Sequence, residues 1–329
     1  MQAPETLKDR ILNIDGKDEF RKLALELFQL HYKENEVYRA YVDALPDRFS
    51  RPEDIDEIPC LPIEFFKKYK IGIPTDNFDE VFESSGTTGA NTSKHYVQDG
   101  EWYIEQSIRN FEDQYGPLKD FCILALLPSY LERSSSSLVY MAKAFMERSN
   151  SKQSGFYLNE FDALFQVLKE LKQKGEKTLL LGVSFALLDF GAAYKMDHKD
   201  LILMETGGMK GRRKEMIRKE LHAELKASFG LEKVHSEYGM TELLSQAYSK
   251  GDGIFNCPPW MKILIRDSED PLSYIRDGLT GGISVIDLAN YSSCPFIATQ
   301  DLGKIHPQGV EILGRFDNSD IRGCSLLTI

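Results

Sequence analysis

Three runs of almost unbroken apolar residues constrain this chain more than anything else in it. They are Phe121-Cys122-Ile123-Leu124-Ala125-Leu126-Leu127, Thr178-Leu179-Leu180-Leu181-Gly182-Val183 and Leu201-Ile202-Leu203-Met204-Glu205. A strand with one wet face alternates apolar and polar residues, so a run that is apolar at both parities reads as a strand covered on both sides. The stretches around them carry apolar residues at three- and four-residue steps, the spacing of a helix face. These are Trp102 to Tyr115, Leu138 to Arg148 with Ser134 to Ser137 offering an N-cap, Phe161 to Lys174 stopped by Gly175, an apolar segment to Tyr194, and Arg212 to Phe229. Strands alternating with helices imply parallel strands with helices on both faces, an α/β fold. Ligands of such sheets gather beyond the carboxyl ends of the strands. Gly207, Gly208 and the serines after Pro128 fall there.

The pattern changes at both ends. Asp18 to Leu45 reads as a helix, and Pro46 and Pro52 stop it. Pro59 and Pro62 then punctuate an extended segment that runs into Glu64-Phe65-Phe66-Lys67-Lys68. From Lys262 onward short alternating strands are predicted: Lys262 to Arg266, Gly282 to Asp287, Phe296 to Thr299 and Val310 to Leu313, mostly antiparallel. The expected organisation is a helical cap over 1–75 continuous with the core, an α/β core over 76–260, and a small β subdomain with a C-terminal tail over 261–329.

Charge and cysteine usage narrow the function. A net charge of −11 argues against nucleic acid or an anionic membrane surface as a general partner, and a polyanion would need local positive charge and Mg²⁺. The longest apolar runs are too short to span a bilayer, and the N-terminal residues lack the basic and apolar regions of a signal peptide. The five cysteines are scattered without a Cys-x-x-Cys pair, which gives no zinc site and no disulfide framework. A reducing cytoplasm is the expected setting.

Four stretches carry chemistry. In Glu83-Ser84-Ser85-Gly86-Thr87-Thr88-Gly89-Ala90-Asn91-Thr92-Ser93-Lys94-His95, the glycines allow a tight turn whose N–H groups form a nest for anionic oxygen. The hydroxyls add donors and Lys94 adds charge, so phosphate is the natural guest, although the same composition suits an ordinary polar loop. Tyr238-Gly239-Met240-Thr241-Glu242 offers an aromatic face, a turn, a phosphate donor and a carboxylate for Mg²⁺, or a plain turn after a strand. In Ala298-Thr299-Gln300-Asp301-Leu302-Gly303 an acid at a strand end could hold a ribose diol, and in Gly314-Arg315-Phe316-Asp317 the Arg315 guanidinium could reach a ribose or phosphate oxygen.

In this order the four stretches resemble the phosphate loop, the Tyr-Gly-x-Thr-Glu segment, the ribose-binding Asp segment and the Gly-Arg-x-Asp segment of the adenylate-forming superfamily. The likeness runs from about Glu83 to Ile329, and Thr206-Gly207-Gly208 lies where that family has the Gly-rich turn flanking adenine. Within the superfamily the sequence most resembles the acyl-protein synthetases of the bacterial luminescence fatty-acid reductase system, then phenylacetate-CoA ligases. That closer likeness rests on Ile58 to Lys67, Thr206 to Gly211, Trp260 to Asp267 and Arg322-Gly323-Cys324-Ser325-Leu326.

The resemblance implies the large N-terminal domain of an adenylate-forming enzyme, with the mobile C-terminal domain absent because the chain stops soon after Asp317. It implies ATP-dependent activation of a fatty or other carboxylic acid to an acyl-adenylate with release of pyrophosphate. Ser84, Ser85, Gly86, Thr87, Thr88 and Gly89 would hold the β- and γ-phosphates. Thr241 would meet the α-phosphate, Glu242 the Mg²⁺, Tyr238 the adenine face, and Asp301 with Arg315 the ribose, with Gly239 and Met240 also among the nucleotide-binding residues. The loop lacks the Pro-Lys-Gly ending of many relatives, which leaves the role of Lys94 open. Leu126 to Leu131 would line the acyl pocket. The acyl group would pass to Cys324 and then to an acyl reductase or other acyl-accepting protein. Two other readings remain: the acceptor is coenzyme A, or the chain is a non-catalytic nucleotide-binding subunit on the same fold.

Overall fold

The computed structural model describes residues 6–84, 92–128, 135–207 and 216–315. Helix α1 (Leu7–Leu12) opens with a capping box in which Thr6 and Asp9 exchange side-chain and backbone hydrogen bonds. Two helices follow, α2 (Lys17–Glu34) and α3 (Glu36–Asp43), where the sequence reads as one. The break is Asn35. Its backbone is extended, its side chain caps α3 by accepting from the Tyr38 N–H, and its amide reaches the Ser293 carbonyl at 3.1 Å. Strand β1 (Leu61–Pro62) leads into a 3₁₀ turn, Ile63–Lys67. The hairpin strands β2 (Glu80–Glu83) and β3 (Lys94–Val97) pair antiparallel, Glu83 opposite Lys94.

The α/β layer follows in the expected alternation. Its elements are α4 (Gly100–Tyr115), β4 (Cys122–Leu126), α5 (Ser137–Arg148), β5 (Gly155–Tyr157), α6 (Phe161–Lys174), β6 (Thr178–Val183), α7 (Ser184–Ala193), β7 (Ile202–Thr206), α8 (Arg218–Phe229), β8 (His235–Tyr238) and β9 (Ala247–Ser249). The strands form one sheet in the order β5-β4-β6-β7-β8-β9, parallel except for the β8–β9 pair. Every residue of β4 and β6 is buried, as expected of strands with helices on both sides. Helix α6 ends where Gly175 takes a left-handed conformation, φ 64°, the usual device for closing a helix.

A second sheet contains β10 (Ile254–Phe255), β11 (Met261–Arg266), β12 (Thr280–Asp287), β13 (Phe296–His306) and β14 (Gly309–Arg315) in the antiparallel order β10-β14-β13-β12-β11. Strand β1 joins it from the N-terminal region, parallel to β13, with Leu61 opposite Ile297 and Pro62 opposite Ala298. The far half of β13 pairs with β14 instead, starting at Asp301 opposite Arg315. Thr299 and Gln300 thus lie at a seam where one edge of β13 changes partner. Among the described residues no helix is long and apolar enough to cross a membrane.

Candidate active site

The arms of the Ser-Gly-Thr loop are β2 and β3, and they are tied at the loop's base. The Ser84 N–H donates to the Ser93 carbonyl at 3.0 Å, and the Ser93 N–H donates to the Ser84 hydroxyl at 2.9 Å. Lys94 opens β3 and is exposed. Its ammonium pairs with Glu83 across the hairpin at 2.9 Å. Ser85, Gly86, Thr87, Thr88 and Gly89 lie outside the described residues, as do Gly208, Cys324 and the Ser129–Leu131 part of the expected acyl pocket.

The segment after β8 is fixed from below by side chains that sequence reading did not single out. His95, buried on β3, places Nδ1 at 2.7 Å from the Thr241 carbonyl and Nε2 at 3.1 Å from the Asn290 side-chain oxygen. Burial drives its pKa down to about 4, which favours the neutral ring, whose single N–H can serve one of these two oxygens. The Asn290 amide donates to the carbonyls of Glu242 at 2.8 Å and Cys294 at 3.0 Å. Just beyond, buried Asp287 accepts from the N–H groups of Leu244 and Ser245 at 2.9 and 2.8 Å and from the Ser245 hydroxyl at 2.6 Å. Gly239 leaves room in this turn for Glu237, since a Cβ there would overlap Oε1 of that side chain. Met240 and Thr241 are half-buried.

Two carboxylates dominate the electrostatics. Glu242 is 5% exposed, and desolvation pushes its pKa up; the Ser93 hydroxyl and the charges of Arg315 and Lys67 pull the other way. Asp301 is also pushed up by burial, opposed by a hydrogen bond from Tyr238 and by Arg315 and Arg266. The Tyr238 hydroxyl donates to Oδ2 of Asp301 at 2.8 Å, which ties the end of β8 to β13. Arg315 is exposed opposite Asp301 across the β13–β14 pair. Gly207 turns at φ 68° after β7, and the Ser184 hydroxyl donates to its carbonyl at 2.7 Å. The structure therefore brings Ser84, Tyr238, Gly239, Met240, Thr241, Glu242, Asp301 and Arg315 to the junction between the two sheets and the loop hairpin.

Among the described residues no group of three or more His, Cys, Asp or Glu side chains could hold a metal ion. Mg²⁺ carried by a nucleotide is normally held by one or two carboxylates, substrate phosphates and water. Among the described residues Glu242 makes no ion pair, and its buried carboxylate is of the chemical type that could serve as one such ligand.

A family model described as "Acyl-protein synthetase, LuxE" matches residues 11–328. No curated protein matches the sequence. Among solved structures, ATP-bound MatB from Rhodopseudomonas palustris is similar at 19% identity and a TM-score of 0.52, covering 71% of this chain and 47% of that one. This chain thus spans about half the length of MatB, at 47%. The 2-hydroxyisobutyryl-CoA ligase solved with 2-HIB-AMP and CoA in the thioesterification state is 13% identical, with a TM-score of 0.65, covering 97% of this chain and 73% of that one. The same ligase in an open conformation matches at 13% identity and 0.64, covering 92% and 70%. At these identities the likeness speaks for the fold, that of adenylate-forming ligases.

Proposed function

The chain belongs to the LuxE acyl-protein synthetase family, and from that premise we propose that it activates a fatty or other carboxylic acid with ATP and transfers the acyl group to a protein thiol. The observation that carries this reading is the convergence of Glu242, Tyr238, Asp301 and Arg315 beside the base of the Ser-Gly-Thr loop. In the first step a carboxylate oxygen of the acid bonds to the α-phosphorus of ATP. The bond from that phosphorus to its bridging oxygen breaks, and pyrophosphate leaves with the electron pair. In the second, a thiolate bonds to the acyl carbon and AMP leaves. Such catalysis is mostly positioning and charge stabilisation.

In this reading the loop from Ser84 to Gly89 holds the departing phosphates, Thr241 faces the α-phosphate, and Asp301 with Arg315 holds the ribose. Bound Mg²⁺ supplies charge neutralisation to the phosphate oxygens, and Glu242 is the residue that would hold it. Cys324 is the acceptor thiol, with an acyl reductase or other acyl-accepting protein as the next recipient. The described cysteines support that choice by their chemistry. Burial pushes the thiols of Cys257 and Cys294 up to about 12 and raises those of Cys60 and Cys122, so none is poised as a thiolate.

The test is ATP–pyrophosphate exchange over a panel of carboxylic acids, followed by incubation with ATP, Mg²⁺ and a labelled acid. Cys324→Ser should form acyl-adenylate and carry no hydroxylamine-labile label. Exchange that survives Thr87→Ala/Thr88→Ala would remove the loop from the phosphates. Thioester formed on added coenzyme A, with none on the protein, would move the activity to the CoA-ligase class.

A further inference from the structure

Beside the loop hairpin, between β3 and the residues that follow the Ile63–Lys67 turn, lies a cleft of about 220 Å³. Every charged residue lining it is a lysine (Lys67, Lys68, Lys70 and Lys94), in a chain whose net charge is −11. Two of these are held in place. Lys94 pairs with Glu83, and Lys70 lies 4.1 Å from the Phe78 ring centre and 5.5 Å from that of Tyr96. Lys67 and Lys68 make no ion pair or side-chain hydrogen bond among the described residues. Like charges gathered around one concave surface focus a positive potential there, and a multiply charged anion relieves their repulsion.

The position of the cleft names the anion. Thr92, on its wall, stands on the far arm of the phosphate loop. On the other side Phe66, also on its wall, meets the His95 ring edge-on at 5.9 Å, and His95 lies against the Thr241 carbonyl. The cleft therefore opens from the side of the site where the β- and γ-phosphates of ATP would lie. We infer that it receives the pyrophosphate released by adenylation, with Lys67 and Lys68 as the ligands that draw the product out of the loop. This assignment rests on the adenylation reading above.

The probe is inorganic pyrophosphate, titrated calorimetrically into the full chain, with no acid present so that no turnover is needed. The double variant Lys67→Gln/Lys68→Gln should bind it at least tenfold more weakly while AMP affinity stays within twofold. In exchange assays the same variant should raise KM for pyrophosphate by a similar factor. Unchanged pyrophosphate affinity in the double variant, with exchange intact, overturns the cleft and leaves adenylation standing. Wild-type protein that binds pyrophosphate through these lysines yet exchanges nothing with any acid overturns the adenylation reading instead. Coenzyme A that displaces pyrophosphate from the wild type, and loses affinity in the variant, gives the cleft to the CoA diphosphate and overturns the product assignment.

Discussion

The Tyr238 hydroxyl donates to Asp301 at 2.8 Å from one sheet to the other: Tyr238 closes β8 of the parallel layer, and Asp301 lies in β13 of the antiparallel one. In the proposed ribose role Asp301 must be aimed, and this bond would aim it. Tyr238→Phe keeps the ring and removes the donor. A hydrogen bond to a charged group contributes roughly 1.5–3 kcal/mol, so urea denaturation should show a loss of that order, with AMP affinity falling as well. Asp301→Ala should weaken AMP more than Tyr238→Phe does. A 2′,3′-dideoxy nucleotide should bind the wild type as poorly as AMP binds Asp301→Ala; equal wild-type binding of the dideoxy and natural nucleotides would take Asp301 off the ribose.

Glu242 should show activity and stability moving apart. Its folded pKa is raised, so the ionised side chain costs stability above the unfolded carboxyl range, and that cost disappears as pH falls through the folded value. Glu242→Gln has no charge to bury and should be no less stable than wild type at neutral pH. Exchange by that variant should need at least tenfold more free Mg²⁺. A variant with an unchanged Mg²⁺ requirement would exclude Glu242 as the metal's ligand.

Gly239→Ala should be costly for a specific reason. The added carbon meets Oε1 of Glu237 at 2.4 Å, and that carboxyl is buried with its pKa pushed up to about 7. Overpacking of this kind costs roughly 1–3 kcal/mol. Adding Glu237→Ala removes the obstructing atoms, so the double variant should recover part of the loss. Strictly additive effects in the double-mutant cycle would mean the two residues do not touch.

His31 should make the fold sensitive to mild acid. Its Nε2 contacts the Tyr291 carbonyl at 2.8 Å, and its Nδ1 accepts from the Asn35 amide at 3.2 Å, an arrangement that needs the neutral ring. Burial takes its pKa from 6.5 to about 4. The neutral form is thus favoured by folding; the stability it contributes is complete above pH 6.5 and is lost as pH falls toward 4. The shift corresponds to about 3 kcal/mol. His31→Gln should flatten the stability profile over that window, measured by urea denaturation at successive pH values. An unchanged slope would place the acid sensitivity elsewhere.

The sequence made the parallel layer legible because strands buried on both faces leave a composition that no loop or half-exposed strand shares. β6 runs over the residues the apolar run marks, Thr178–Val183. Asn35 was not legible as a break. Its neighbours keep helical spacing, and what holds the kink is the Ser293 carbonyl, supplied by a distant part of the chain. The same distinction runs through the site. Tyr238 to Glu242, Asp301 and Arg315 stand out because each short stretch juxtaposes chemistry on its own. His95, Asn290 and Asp287 do not, since each is defined by what it holds: a Thr241 carbonyl, a Glu242 carbonyl, the N–H groups of Leu244 and Ser245. Asp287 ends a strand that the sequence reads as alternating but that is buried at every residue after Thr280, covered on both faces by tertiary packing, so its partners could not be read locally.

The seam in β13 sets the order in which the molecule can be built. Leu61 and Pro62 have no strand to pair with until Ile297 and Ala298 exist, and Gln300 bonds to Glu64 across 236 residues of chain. Contacts so distant in sequence carry a large loop-closure cost and come late in folding. A growing chain on the ribosome can complete its parallel layer while the apolar Leu61 and Phe66 wait without their sheet. Asp301 and Arg315 pair in β13 and β14, the same sheet that β1 joins. If the proposed ribose role of Asp301 holds, nucleotide binding should report on complete folding, because a chain that has not brought its beginning against β13 has an unfinished ribose side.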